Sequence, residues 1–195
     1  MAIRITNPND KKLLEKLGFS PENTNIVFLN DERIVIVDEG INISKDGNVS
    51  RQLHSENAMT MLAYRVKSKG FLVKHPVHQK IGELSYKFKK EHGLNFVEIG
   101  RIFASDKNLR NTMIKMTENI AFNLPMTAVT FTCYADYVKD YEPMGYYTFP
   151  NVRTYASEFV PIVKTKLKRH KFDDNVAALH DQVFGTHYSE SEGCR

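Results

Sequence analysis

Long hydrophobic runs are missing from this chain of 195 residues. No apolar stretch approaches the roughly 20 residues that a membrane span needs. The opening "MAIRITNPNDKK" has no apolar core of a secretory signal. The expectation is a cytoplasmic protein with no membrane partner. Cysteine is scarce as well: Cys133 falls in a predicted strand and Cys194 one residue from the end. That argues against a structural disulfide and against a zinc site of several thiolates, and for a reducing compartment. No repeat, low-complexity tract or Pro/Gly-rich linker interrupts the chain. One domain over 1–185 is expected, with a disordered tail over 186–195.

Hydrophobic residues make up 42% and charged residues 26%, ordinary for a globular fold. The net charge of +4 is unevenly placed. "KTKLKRHK" carries Lys164, Lys166, Lys168, Arg169 and Lys171 beside His170, and "RVKSKGFLVKH" spans Arg65 to His75. Such runs suit a phosphate backbone, whose neutralisation releases counterions. A solvated face is the ordinary alternative.

The local pattern alternates strands and helices. "AIRIT" reads as a strand. "NDKKLLEKLGF" reads as a helix with Leu13, Leu14 and Leu17 on one face and Gly18 as its stop. "NIVFLNDERIVIVDEGINI" gives two or three strands with a turn at "NDE", and Asp46-Gly47 centres another turn. Ala58, Met61, Leu62 and Val66 predict a helix over 55–67. "FLVKH" reads as a strand. Pro76 opens a second predicted helix with Val77, Ile81, Leu84 and Phe88 as its stripe and Gly93 as its end. Then come a strand at 95–105, a helix at 106–123 closed by Pro125, a strand in "TAVTFTCYA", a short helix in "DYVKDYEPMG" and a strand in "YYTFP". A strand at 159–163 and a last helix at 173–184 complete a mixed α/β sheet covered by helices.

The order from Asn95 to Pro150 resembles the GNAT superfamily of N-acyltransferases. The pieces that carry the likeness are the strand "VEIGRIFAS", the helix after it, and "YADYVKDYEPMGYY". The resemblance covers about a third of the chain. It implies two central strands that splay, with a donor between them. It also implies Gly145 in a left-handed turn that lets Tyr146 start a new strand. The family's glycine-containing phosphate loop is absent, since "SDKNLRNTM" has no glycine and Asp106 puts a negative charge where an anion would sit. Acyl-CoA is therefore disfavoured and the donor stays unassigned. Lys107, Arg110, Asn111 and Tyr134 are the candidate donor-binding residues.

Within that superfamily the chain resembles the Mom-type DNA modification proteins of bacteriophages, which also lack the glycine loop. The matching residues are Arg101 and Asn111, the Tyr134-Ala135-Asp136 run, and Tyr146 or Tyr147. This likeness implies adenine in DNA as the acceptor, in the host cytoplasm, with the base taken out of the duplex. Two alternatives stay open: an acyl-CoA-dependent N-acetyltransferase acting on a small amine or a protein, and a non-catalytic domain that binds nucleic acid or protein.

Each candidate has an ordinary reading beside the functional one. Asp136 either handles a proton on the acceptor amine or simply caps the short helix. Glu98 and Arg101 are three apart on a strand, so they point to opposite faces, and one of them pairs with a covering helix if it is structural. Tyr146 and Tyr147 are adjacent, so one can contact the acceptor while the other is core. Cys133 reads as a small buried residue. His75 and His78 lack an evident third ligand, so no metal is expected. His54, near Arg51 and Glu56, is a weaker acid-base candidate.

Overall fold

Asn30 and Asp31 both take positive φ, 50° and 62°. That is the pair of left-handed residues a two-residue hairpin needs, and Asn and Asp tolerate it. They join β1 (Thr24–Leu29) to β2 (Glu32–Asp38) in an antiparallel ladder running from Thr24–Val37 to Leu29–Glu32. Helix α1 (Pro8–Lys16) seats Leu14 on Ile26 and Val35, and Gly18 at φ 80° follows it as expected. The computed structural model describes residues 8–46, 48–51, 58–67, 77–91, 94–148 and 159–167. The predicted strands "AIRIT" and "FLVKH", the predicted helix at 173–184, the tail and Gly47 lie outside the described residues.

Strands β3 (Ile41–Ile43) and β4 (Val49–Arg51) form a small hairpin, closed by the Ser44 amide donating to the Asn48 carbonyl at 2.9 Å. The next two elements correct the sequence reading. Met59–Lys67 is strand β5 and Val77–Glu91 is the 15-residue strand β6, and neither is a helix. In β5 the buried residues are Met59, Met61 and Ala63, a period of two. In β6 the cause of the error is a bulge. Ala63 faces Gly82 but Tyr64 faces Lys80, which leaves Ile81 as an extra residue. Ile81 is buried before the phase change, and Leu84, Tyr86 and Phe88 after it. The slip turns strand alternation into the 77, 81, 84, 88 spacing of a helix.

Beyond β6 the chain follows the expected order. It runs through β7 (Leu94–Ala104), α2 (Lys107–Asn123), β8 (Ala128–Tyr134), a 3₁₀ turn (Ala135–Tyr137) and α3 (Val138–Tyr141). A second 3₁₀ turn (Glu142–Met144), β9 (Tyr147–Thr148) and β10 (Phe159–Thr165) follow. The fold is mixed α/β. Among the described residues an eight-stranded sheet has the order β1-β2-β5-β6-β7-β8-β10-β9. The β7–β8 ladder is parallel, pairing Phe96–Ile99 with Ala128–Phe131, and α2 is the crossover between these strands.

Contacts divide the chain into two compact units, Met1–Lys87 with Gly100–Glu118, and Phe88–Ile99 with Asn119–Arg195. In the first, Leu109, Met113 and Ile114 of α2 are fully buried. The helix approaches β6 at Gly82, where an added Cβ would lie 3.1 Å from both the Leu109 and Met113 side chains. In the second, Phe96, Val97, Val129, Phe131, Ile162 and Val163 form a buried apolar set, with Tyr141 and Tyr146 packed edge-on to Phe131 at 5.0 Å.

Candidate active site at the carboxyl end of β8

β8 is buried from Ala128 to Phe131 and then alternates, with Thr132 out, Cys133 in and Tyr134 out. The last outward residue therefore leaves the sheet as an exposed aromatic. The backbone turns into a 3₁₀ helix at once, so Asp136 and Tyr137 follow on the surface. Tyr134, Tyr137 and Phe159 are 47%, 49% and 46% exposed. The Tyr134 ring meets Phe159 at 4.4 Å and Tyr137 at 6.0 Å with an interplanar angle of 85°. Phe159 arrives because β10 pairs it directly with Tyr134.

Asp136 does not cap a helix, which corrects the structural reading of this residue. The 3₁₀ turn begins one residue earlier, so its N-cap is Tyr134 and that of α3 is Tyr137, neither with a side-chain cap. Asp136 thus sits inside the first turn rather than ahead of it. It is exposed and makes no hydrogen bond or ion pair among the described residues. Gly145 takes φ 88° and ends the second 3₁₀ turn, as expected. Of the adjacent tyrosines, Tyr146 is core at 3% exposure, against Phe131 and Tyr141, and Tyr147 is half-buried in β9 opposite Val163.

Other candidates divide between the units. Glu98 pairs with Lys89 at 2.7 Å, a partner on the strand β6 rather than on the covering helix expected. Arg101 belongs to the first unit, exposed, with its backbone amide donating to the Ser85 hydroxyl at 2.7 Å. At the start of α2 the Asp106 carboxylate accepts the Leu109 amide at 2.9 Å, an N-cap bond. Lys107 is exposed, and Arg110 and Asn111 are half-buried with Asn111 Oδ1 facing no partner among the described residues. A protein carboxylate already holds one of the first-turn amides, and no glycine opens the backbone, which speaks against a pyrophosphate at this helix start.

Two of the expected phosphate-binding lysines are engaged inside the second unit. The Lys166 ammonium bonds the Phe122 carbonyl near the end of α2 and lies 5.0 Å from the Phe122 ring, the favourable place for a cation on a helix C-terminus. Lys164 lies 5.8 Å over the Tyr146 ring. Lys168, Arg169 and Lys171 are outside the described residues, as are His54, Glu56, His75 and Cys194. Arg65 pairs with Glu32 at 2.6 Å, and His78 meets the Phe19 ring at 4.8 Å. Among the described residues no group of three His, Cys, Asp or Glu is placed to hold a metal, and no helix is long and apolar enough to cross a membrane. Cys133 is buried and forms no disulfide among the described residues.

Sequence reasoning missed a polar network in the first unit. Asp38, 2% exposed, accepts from the Tyr86 hydroxyl at 2.6 Å, the Gly40 amide at 3.0 Å and Arg51 Nη2 at 2.7 Å. Arg51 Nη1 also donates to the Tyr86 oxygen at 2.5 Å. Burial first, and then the Asp38 charge, push the Tyr86 hydroxyl far above its ordinary pKa. The three residues lie on β2, β4 and β6, so no local spacing announces them.

No protein-family model matches the chain, and no curated protein does. Solved structures are similar at a distance. ElaA of Escherichia coli is 16% identical, with 63% of this chain and 74% of that one covered at a TM-score of 0.40. Naa50 of Arabidopsis thaliana, in complex with the bisubstrate analogue CoA-Ac-MVNAL, is 14% identical over 54% and 72% at 0.40. The NatC complex bound to Gag peptide and CoA is 14% identical over 55% and 71% at 0.42. At that distance they say nothing of this chain's own activity.

Proposed function

We propose that the chain is a group transferase of the N-acyltransferase kind that acts on an amine. The observation that carries this reading is the exposed Asp136 carboxylate, without a partner among the described residues, at the carboxyl end of β8, the end of a strand–helix–strand unit where open α/β folds take their ligands. In the reaction the amine lone pair forms a bond to the carbonyl carbon of an activated acyl donor. The bond from that carbon to its leaving group breaks, and the leaving group departs with the electron pair. The proton shed by the amine passes to Asp136. The start of α2 speaks against a donor held there by its pyrophosphate, so no step is assigned to acyl-CoA. Adenine in DNA is the narrower acceptor that the sequence likeness implies, and it is one arm of the test.

The test is mass spectrometry of the small-amine, peptide and nucleoside pools of cells making either the wild-type chain or Asp136→Asn. A mass added to an amine by the wild type, and reduced about 100-fold to 10,000-fold in the variant, is the expected result for a lost general base. The pool that carries the added mass identifies the acceptor class. No added mass in any pool, or equal addition by the two proteins, overturns the reading.

A further inference from the structure

We infer that Tyr134, Tyr137 and Asp136 form a binding site for an organic ammonium ion, which rests on the amine-transfer reading and narrows its acceptor to cationic amines. Tyr134 and Tyr137 stand at right angles, 6.0 Å between centroids, so they present two walls of an aromatic corner. Phe159 packs against Tyr134 at 4.4 Å with the rings tilted by 33°, and supports that wall. Each of the three rings is about half exposed, and together they make an apolar patch of the kind that marks a binding surface.

Elsewhere the chain supplies its own cations to aromatic rings: Arg33 over Phe28, Lys164 over Tyr146 and Lys166 over Phe122. Among the described residues no cation lies over Tyr134 or Tyr137. Asp136 lies between them in sequence and has no partner among the described residues.

Charge decides the occupant. From Tyr134 to Met144 the exposed charged residues are Asp136 and Glu142 against Lys139. This field repels a phosphate backbone and attracts an ammonium, and a cation within about 6 Å of a ring centroid is bound by the ring quadrupole. An acceptor amine is mostly protonated at neutral pH. It would be held here as its cation; Asp136 takes the ammonium proton before attack and passes it to solvent, which leaves the carboxylate able to take the second proton that the amine sheds.

The experiment is calorimetric titration of the full chain with choline and with 3,3-dimethylbutan-1-ol, its neutral carbon isostere. A peptide with a free amino terminus and the same peptide acetylated form a second pair. The expected result is saturable binding of the charged member of each pair. Affinity should fall about tenfold in Tyr134→Ala and in Asp136→Asn, within the range such contacts reach. Tighter binding of the peptide names a protein acceptor, and tighter binding of choline a small one. Circular dichroism of each variant checks that it folds. Equal binding of the neutral and charged members overturns the site, as does no binding of either. Binding of a single-stranded oligodeoxynucleotide that the same variants abolish, with none of choline, overturns it in favour of base stacking. The titration needs no turnover. Cation binding without any transfer keeps the site and removes the enzyme, whereas transfer without cation binding does the reverse.

Discussion

Asp38 and Asp136 both stand beside tyrosines at the end of a strand, one closing β2 and the other just past β8. Asp38 is buried and each carboxylate oxygen is used, by Tyr86, Gly40 and Arg51. Asp136 is exposed beside rings that are half in water. The first arrangement is what a folded chain must do with a charge it removes from solvent, because an unpaired buried charge costs several kcal/mol. The second performs no such duty. A carboxylate with no partner among the described residues, next to half-exposed aromatic rings, is available to something outside the chain. Burial and pairing thus separate a structural aspartate from the one proposed to be functional, where residue type and neighbours do not.

The largest effect expected is at the buried member. Asp38→Ala strands the Arg51 guanidinium and the Tyr86 hydroxyl together and should destabilise the fold by about 3–5 kcal/mol, read from urea unfolding. A loss comparable to that of an ordinary surface substitution would end the contrast. Tyr86→Phe is next, at about 1–3 kcal/mol, since it leaves buried partners unsatisfied. It also has a pH signature. Because the folded-state pKa is raised, the stabilisation from Tyr86 is whole below its unfolded value near 10 and is lost as pH rises above that. The wild type should therefore lose stability above about pH 10 more steeply than Tyr86→Phe. Parallel profiles for the two proteins would show that the hydroxyl is not held neutral by the fold.

Smaller effects belong to the second unit. Gly145→Ala places a Cβ in the left-handed region, and its added carbon would meet Lys164 Cε at an ordinary 3.5 Å. The cost is then backbone strain alone, about 1–2 kcal/mol. A neutral result in thermal unfolding would mean that the turn relaxes. Smallest of all on stability is Asp136→Asn, expected within the about 0.5 kcal/mol of ordinary surface changes, while its effect on transfer is the largest. An unfolding shift as large as that of Tyr86→Phe would place Asp136 with the structural aspartates.

The chain's linear order determined much of this. The alternation in "NIVFL" and "RIVIV", the Asn-Asp turn, the α2 stripe and the short helix ending at Gly145 were legible because each is set by near neighbours: side-chain period, turn chemistry, helix stops. Tertiary structure decided the rest. Strand β6 looked helical because the bulge at Ile81 is defined by its register with β5, which no window of one strand contains. The Asp38–Tyr86–Arg51 network joins three strands, and Lys166 spends its charge on a helix end 44 residues away. Whether Asp136 caps the short helix or sits inside its first turn depended on where the 3₁₀ turn begins, a shift of one residue. Sequence fixes periodicity and local turns through short-range sterics. Burial, pairing and exposure depend on which distant segments meet, and only the folded chain sets those.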